Sequence, residues 1–325
     1  MKNKSNRLIY FEEYVHINGI DQYLFHADTK YDNPVMLFLH GGPGFAESTL
    51  SHIFQEKWEK IFTIVHWDQR GAGKTFTKNP DKCPTIDLML EDLFEIVQYL
   101  KIKYSKEKII LFGHSWGTIL GSIFIKKYPD EVAYYIGVGQ VISMFQNERV
   151  GYEKVKELAL QSNDKKSLKD LEALGDYPGN NHGINFKKKS EKLRKVQAKY
   201  GLAVNSNFSA IMGLIRSPIF RLSDISALMK MDKVNKEIVE FWSKFDIRSE
   251  SAEYKVPIYY ILGKNDWQTP YIIAEEYFKK INAPYKKLYL IPGAGHMTMV
   301  DKPNLFFDAL SNISIIEKNC ILNIV

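Results

Sequence analysis

A short apolar strand that leads into a glycine-flanked serine constrains this chain more than any other feature. Lys108-Ile-Ile-Leu-Phe112 is followed directly by Gly113-His-Ser-Trp-Gly117, and a helix-like run continues from Thr118. The two glycines allow strand and helix to approach closely around a strained turn, which leaves the serine hydroxyl exposed at its apex. G-x-S-x-G in this strand–turn–helix context predicts a nucleophile elbow, with Ser115 as the nucleophile.

Short apolar runs alternate with stretches of helical periodicity over much of the chain. Asn18-Gly19 indicates a hairpin between residues 13–17 and 22–26. Buried strands are predicted at 35–39, 61–65, 109–112, 132–138, 257–262 and 287–291, and helices at 85–104 and 116–127. This alternation predicts an α/β fold whose central sheet is mostly parallel and flanked by helices.

The alternation of strands and helices stops in the middle of the chain. Residues 140–252 are charged stretches with helical spacing, interrupted by a loop at 175–183. We therefore expect one α/β core built from residues 1–139 and 253–325, with residues 140–252 inserted as a helical cap.

A serine hydroxyl needs a base to accept its proton, and that base needs an acid to orient it. His296 lies in a glycine-rich loop after the strand at 287–291, and Asp266 follows the strand at 257–262. Each residue alone would be an ordinary loop residue. In chain order, however, Ser115, Asp266 and His296 follow the serine–acid–histidine sequence of an α/β-hydrolase, which predicts a catalytic triad.

An acyl-transfer enzyme also needs hydrogen-bond donors for the oxyanion that develops during the reaction. One donor is expected to be the backbone N–H of Trp116, directly after the nucleophile. The other is expected in the loop His40-Gly41-Gly42-Pro43-Gly44, which follows the strand at 35–39.

No nucleotide, metal or other cofactor is predicted. Gly71-Ala-Gly-Lys-Thr75 resembles the end of a phosphate-binding loop, but the glycine that the full pattern needs at position 68 is Asp68. We interpret residues 67–73 as a structured turn that Asp68 and Arg70 hold in place. No His, Cys, Asp or Glu residues occur at metal-ligand spacing.

Composition and charge exclude several classes of partner. The net charge is only +6, and the densest basic run, Lys187–Lys189, is predicted to be a solvated helix face beside Glu191, so nucleic-acid binding is not expected. No apolar run is long enough to cross a membrane, and residues 1–7 lack an export signal. With only two cysteines, Cys83 and Cys320, far apart, we expect a cytoplasmic protein with reduced thiols.

Five motifs together resemble the proline iminopeptidase family of α/β-hydrolase serine peptidases, over residues 25–139 and 255–315. They are His40-Gly-Gly-Pro-Gly44, Asp68-Gln-Arg-Gly-Ala-Gly-Lys74, Gly113-His-Ser-Trp-Gly117, Gly263-Lys-Asn-Asp266 and Gly293-Ala-Gly-His296. The resemblance implies that Ser115 is the nucleophile, His296 the base and Asp266 its orienting acid. It also implies an oxyanion hole made by the N–H groups of Gly42 and Trp116, and a helical cap over the site.

The resemblance is weaker where the family binds the free amino terminus of its substrate with cap glutamates. Here the nearest analogue of the family's Trp-x-x-Trp-Glu-like stretch is Glu240-Phe-Trp-Ser-Lys-Phe-Asp246, which lacks the second tryptophan and the following glutamate. A buried carboxylate would be needed to pair an ammonium group. The candidate acids in the cap are Glu148, Glu153, Glu172 and Glu240.

These observations favour an aminopeptidase that releases N-terminal residues from short peptides. An alternative with the same triad is a carboxylesterase, lactonase or amidase acting on a small acyl substrate. A more remote alternative is a non-catalytic binding protein of the same fold, which would usually lack a member of the triad.

Overall fold

A computed structural model describes residues 9–28, 32–204 and 213–322 of the protein. Residues 1–7, which we interpreted as lacking an export signal, lie outside the described ranges. Parts of the predicted core and cap ranges, at 29–31, 205–212 and 323–325, also lie outside them.

The described residues form an eight-stranded, mostly parallel sheet with the strand order β1-β2-β4-β3-β5-β6-β7-β8. The strands are β1 (Ile9–Ile17), β2 (Ile20–Asp28), β3 (Val35–Leu39), β4 (Thr63–Asp68), β5 (Ile109–His114), β6 (Val132–Val138), β7 (Ile258–Gly263) and β8 (Lys286–Ile291). The predicted hairpin is β1–β2, and β2 is also antiparallel to β4. From β4 to β8 all neighbours are parallel, so the predicted fold class is confirmed.

One strand boundary differs from the prediction. The apolar run at 61–65 was expected to be a strand, but β4 begins at Thr63 and ends at Asp68. Ile61 and Phe62 instead close the preceding 3-10 helix, because both of their N–H groups donate to the carbonyl of Trp58. Apolar residues lie on both sides of this junction, with Thr63 alone between them, so hydrophobicity does not mark it.

Helices cover both faces of the sheet and connect its strands. They are α1 (Gly73–Lys78), α2 (Ile86–Tyr104), α3 (Trp116–Lys127), α4 (Met144–Gln161), α5 (Lys165–Glu172), α6 (Gly183–Lys199), α7 (Leu222–Val234), α8 (Lys236–Lys244), α9 (Tyr271–Lys280), α10 (Thr298–Asp301) and α11 (Pro303–Leu322). Short 3-10 helices lie at Glu47–Ile53, Trp58–Lys60, Pro129–Glu131 and Ile247–Ser249.

The hydrophobic core consists of two layers, one on each face of the sheet. Alternate residues of the central strands belong to different layers: Leu37 and Leu111 pack with α2, α3 and α9, whereas Phe38 and Phe112 pack with α11 and the 3-10 helices. This alternation follows from the two-residue period of a strand. The strands are therefore apolar on both faces, as parallel strands covered on both sides must be.

Helices α4 to α8 all lie between β6 and β7, in the segment predicted to be a cap. Part of this segment has its own apolar cluster, which includes Val155, Leu171 and Leu193. A buried ion pair between Lys74 on α1 and Asp224 on α7, 2.7 Å apart, joins it to the sheet side of the molecule. The helical character of the segment is therefore clear, whereas its role as a separate cap domain stays a prediction.

The turn after β4 is held by buried charges, as predicted for Asp68 and Arg70. Asp68 accepts hydrogen bonds from the Ser48 hydroxyl (2.6 Å) and from the backbone N–H of Lys74 (2.8 Å). Arg70 binds Asp92 on α2 through two hydrogen bonds, from Nε (2.7 Å) and Nη2 (2.9 Å). Both side chains of this pair are almost completely buried.

We expect Asp92→Asn to lower the free energy of unfolding by about 3 kcal/mol or more, because it leaves the Arg70 charge buried without its counter-ion. Urea unfolding monitored by circular dichroism measures this as a lower midpoint with an unchanged slope. Glu276→Gln is the control, since Glu276 forms an exposed pair with Lys280 and should change stability by less than about 0.5 kcal/mol. Equal effects of the two substitutions would contradict the prediction.

Candidate active site

Ser115 lies at the turn between β5 and α3, in the predicted strand–turn–helix arrangement. Its backbone has φ 53° and ψ −116°, a positive φ that is costly for a residue with a side chain. A Cβ at position 117 would lie 2.0 Å from the carbonyl oxygen of Leu39. A Cβ at position 113 would lie 2.7 Å from the carbonyl oxygen of Gly117. The glycines therefore allow the close contacts between β3, β5 and α3 that hold the strained turn.

Asp266 and His296 form a buried hydrogen-bonded pair in the loops after β7 and β8. His296 Nδ1 lies 2.8 Å from Asp266 Oδ2. The other carboxylate oxygen accepts the backbone N–H groups of Gln268 (3.0 Å) and Thr269 (2.8 Å). These bonds fix the carboxylate, which in turn holds the imidazole by one nitrogen and leaves Nε2 for another partner.

Thr269 completes this arrangement and was not predicted. Its hydroxyl donates to Asp266 Oδ2 at 2.6 Å and lies 3.2 Å from His296 Nδ1. Burial by itself would raise the pKa of Asp266, but the His296 imidazole and the Thr269 hydrogen bonds hold it below its ordinary value. The carboxylate is therefore ionised at neutral pH and can stabilise a positive charge on His296. Thr269 follows Asp266 by three residues, a spacing typical of a side chain that caps a turn.

Ser115 opens into a pocket of about 130 Å³ that Gly42 and Thr269 also line. Trp116 is the first residue of α3, so its N–H belongs to the first helical turn, whose N–H groups have no partner within the helix. Among the described residues, no hydrogen bond joins the Ser115 hydroxyl to His296. Such bonds are often long before substrate binds and tighten in the complex.

Residues of α6 also line this pocket. Lys187, Ser190, Glu191 and Arg194 line it, and their spacing of three and four residues is that of one helix face. We predicted the basic run around Lys187 to be a solvated surface, which is wrong for Lys187 itself: its side chain is only 13% exposed. The periodicity of α6 could have indicated a shared face, but only the tertiary fold shows that this face lines the same pocket as Ser115.

The structure separates the four predicted cap acids. Glu148 is completely buried, accepts a hydrogen bond from Tyr177 and pairs with Arg194. Glu153 lines an open groove on the outside, Glu240 pairs with Lys244 at the surface and Glu172 is exposed. Of these four, only Glu148 contacts a residue of the Ser115 pocket. Glu191, which lines the pocket, was not predicted as a site residue.

The described ranges contain neither a cluster of metal ligands nor a membrane-spanning helix. No group of three or more His, Cys, Asp or Glu side chains there is placed to hold a metal ion. None of the helices in these ranges is both long and apolar enough to span a bilayer. Cys83 and Cys320 are free and exposed.

Sequence comparison identifies the family. The family model described as alpha/beta hydrolase fold matches residues 34–303, which include the sheet from β3 onward and all of the site residues above. The chain belongs to the α/β-hydrolase family. It is therefore a hydrolase, and the elbow, the Asp266–His296 pair and the glycine loop lie where this fold carries its chemistry.

Relatives of this α/β-hydrolase include named aminopeptidases. The chain is 26% identical over 297 residues to "Probable aminopeptidase YbaC" of Bacillus subtilis, and the match covers 91% of this chain and 90% of that protein. It is 21% identical over 313 residues to proline iminopeptidase of Heyndrickxia coagulans, covering 94% and 98%. The crystal structure of proline iminopeptidase from Mycobacterium smegmatis has the same fold, with a TM-score of 0.67, 18% identity and coverage of 96% and 100%. The resemblance drawn from the motifs is thus confirmed.

We expect Thr269→Val to reduce kcat of this α/β-hydrolase roughly 10- to 100-fold, because a hydrogen bond to a charged group typically contributes about 1.5–3 kcal/mol. Steady-state hydrolysis of a chromogenic substrate measures the loss. Thr269→Ser keeps the hydroxyl and should retain most of the activity. A valine variant as active as wild type would show that the hydroxyl has no role in orienting Asp266 and His296.

Proposed function

We propose that this hydrolase is a serine aminopeptidase that releases N-terminal residues from short peptides. The observation that carries the proposal is the buried Asp266–His296 hydrogen bond of 2.8 Å. It forms between the loops beyond the carboxyl ends of β7 and β8, in the same parallel sheet whose strand β5 ends at the Ser115 turn. Loops at these strand ends are where parallel sheets position catalytic groups. Ser115 is the nucleophile, His296 the general base and Asp266 its orienting acid.

The reaction proceeds through an acyl-enzyme. Ser115 Oγ attacks the carbonyl carbon of the scissile bond while its proton passes to His296, and Asp266 stabilises the resulting imidazolium. The N–H groups of Gly42 and Trp116 donate to the oxyanion of the tetrahedral intermediate. The intermediate collapses, the C–N bond breaks and the leaving amine takes the proton from His296. Water then attacks the acyl-enzyme ester while His296 accepts its proton. The ester C–O bond breaks, the proton passes from His296 to Ser115 Oγ, and the acid product leaves.

The small pocket supports a short substrate. The pocket of about 130 Å³ is lined by Ser115, by the glycine loop at Gly42 and by residues of α4, α6 and α8. We propose that the segment 140–252 acts as a cap that excludes folded proteins from Ser115. Val141, Met144 and Trp242 provide an apolar wall, which suits the side chain of an uncharged N-terminal residue.

The charges around the pocket support recognition of a substrate ammonium group. Lys187 is shared between Glu191 and Asp232, and Arg194 is paired with Glu148. These five groups comprise three carboxylates and two cations, so their sum is negative by one charge. Asp232 and Glu148 neutralise the two cations from outside the pocket, and Glu191 is the carboxylate of the five that lines it. Glu191 can therefore bind an ammonium group, as a charge-assisted hydrogen bond requires. The aminopeptidase names of the relatives agree with this proposal.

A second candidate function is a carboxylesterase, lactonase or amidase that acts on a small acyl substrate. The observation that favours it is the pairing of Glu148: the fully buried carboxylate of the segment 140–252 already has Arg194 and Tyr177 as partners. It is therefore not free to bind an ammonium group. The triad chemistry would be the same in both cases.

We expect a fluorophosphonate probe to label the wild-type protein but not the Ser115→Ala variant. Ser115→Ala, His296→Ala and the double variant should each lower turnover by roughly four to six orders of magnitude, because the residues act as one unit. Residual rates of the three purified variants measure this. Labelling that persists in Ser115→Ala, or losses that add in the double variant, would contradict the proposed triad.

We expect Glu191→Gln to raise KM about tenfold for aminoacyl naphthylamides with a free amino group, because the carboxylate that lines the pocket is lost. The KM for p-nitrophenyl esters should not change. Glu157→Gln is a matched control, since Glu157 and Glu191 are each 52% exposed and each pair with a lysine of their own helix. Turnover of esters only, with no effect of blocking an amino group, would favour the esterase or amidase instead.

A further inference from the structure

Directly behind the proposed nucleophile, Glu47 and His114 form a buried pair that the reaction scheme above does not use. Glu47 belongs to the 3-10 helix Glu47–Ile53, and His114 is the last residue of β5. Glu47 Oε1 lies 2.7 Å from His114 Nδ1, and the side chains are only 1% and 2% exposed. Two groups of this kind are rarely buried without a function for the charge or for its hydrogen bonds.

Both ring nitrogens of His114 face oxygen atoms that accept hydrogen bonds. Nδ1 faces the carboxylate of Glu47, and Nε2 lies 3.1 Å from the backbone carbonyl oxygen of His296. A carbonyl oxygen cannot donate, and neither can an ionised carboxylate, so each nitrogen must carry a hydrogen. His114 is then an imidazolium. Burial would lower its pKa, but the contact with Glu47 raises it above its ordinary value, whereas His114 holds the pKa of Glu47 low against burial.

The second oxygen of Glu47 extends the connection to the predicted oxyanion loop. Glu47 Oε2 accepts the backbone N–H of Gly41 at 3.0 Å. A Cβ placed on Gly41 would lie 3.4 Å from both His114 Nδ1 and Ser115 Cβ. Hydrogen bonds thus run without a gap from the loop beside Ser115, through Glu47 and His114, to the backbone of His296.

We propose that Glu47 and His114 are positioning residues, a permanent carboxylate–imidazolium pair that holds the Gly41–Gly42 loop and the His296 loop in register on either side of Ser115. The kinetic part of this inference rests on the proposed function, whereas the charge state of His114 does not. The pair acts through the groups it holds and needs no contact with substrate. A small displacement of either loop would misplace a group that must be oriented in the transition state.

The other titratable groups nearby do not compete with Glu47 as the counter-ion. Burial lowers the pKa of His40 to about 4 and that of His66 to about 3, so both are neutral near pH 7. Asp266 adds a weaker attraction for His114 but is bound to His296, whose ring centroid lies 5.0 Å from that of His114. The imidazolium therefore depends on Glu47.

Glu47→Gln tests the pair, because the amide can donate to Nδ1 and accept from Gly41 while the charge is lost. In the wild type, ¹⁵N-histidine NMR at neutral pH should show both ring nitrogens of His114 protonated, with the signal assigned by its loss in His114→Gln. In Glu47→Gln, Nδ1 should be unprotonated. We expect kcat of Glu47→Gln to fall roughly 10- to 100-fold with little change in KM, because orientation in the transition state is lost.

The pH dependence has a definite sign. Since the pKa of His114 is raised and that of Glu47 is lowered, the pair is intact at neutral pH and is lost as the pH rises through the pKa of His114 or falls through that of Glu47. Wild-type kcat should therefore fall on the alkaline side. Glu47→Gln should be slow throughout and lack this limb, which a loss of stability alone would not produce.

Glu13→Gln is the matched control. Glu13 on the edge strand β1 lies 2.8 Å from the buried His26 on β2, so the same substitution should leave both the His114 signal and kcat unchanged. A neutral His114 in the wild type at neutral pH would overturn the inference, and so would wild-type kcat in Glu47→Gln. Failure of the proposed function can be distinguished from failure of this inference. If the proposed function is wrong, a fluorophosphonate will not label the wild type, but NMR will still measure the charge of His114.

Discussion

The contact between Gly117 and the end of β3 is the constraint on which the rest of the site depends. No side chain fits there, since a Cβ would lie 2.0 Å from the carbonyl oxygen of Leu39. The start of α3 can therefore approach the first residues of the glycine loop closely. This approach brings Ser115 and Gly42 to one pocket. It also requires the positive φ of Ser115, a strain that the surrounding packing must hold.

Around this contact, buried polar groups rather than apolar packing hold the loops at the strand ends. Asp68, Asp92 and Glu47 are each nearly or fully buried, and each binds donors from a neighbouring segment. A buried charge is tolerated only when its partners are in place, so such groups specify one arrangement of the loops. The same principle applies to Asp266, whose four hydrogen bonds define the position of His296.

Much of the fold and part of the site could be predicted because the relevant signals are local. The continuous apolar strands and the Asn18-Gly19 turn have strong short-range signatures, and the predicted sheet was confirmed. Two expectations failed where the signal is not local. The start of β4, at Thr63, has apolar residues on both sides, and Lys187 lines the pocket. Glu47 was missed because its partner His114 is distant in the chain. Thr269 was missed because its bond to Asp266, three residues away, gains a role only where His296 is brought beside it.

The sequence by itself determined the order of the strands along the chain, the turn that carries Ser115, and the candidates Asp266 and His296, because each depends on residues adjacent in sequence. The tertiary structure alone decided which charges meet: Glu148 with Arg194, Lys187 with both Glu191 and Asp232, and Glu47 with His114. These pairs set the electrostatics of the pocket. Charge interactions fall off over a few ångströms in a way that depends on burial, and neither separation nor burial can be inferred from spacing in sequence.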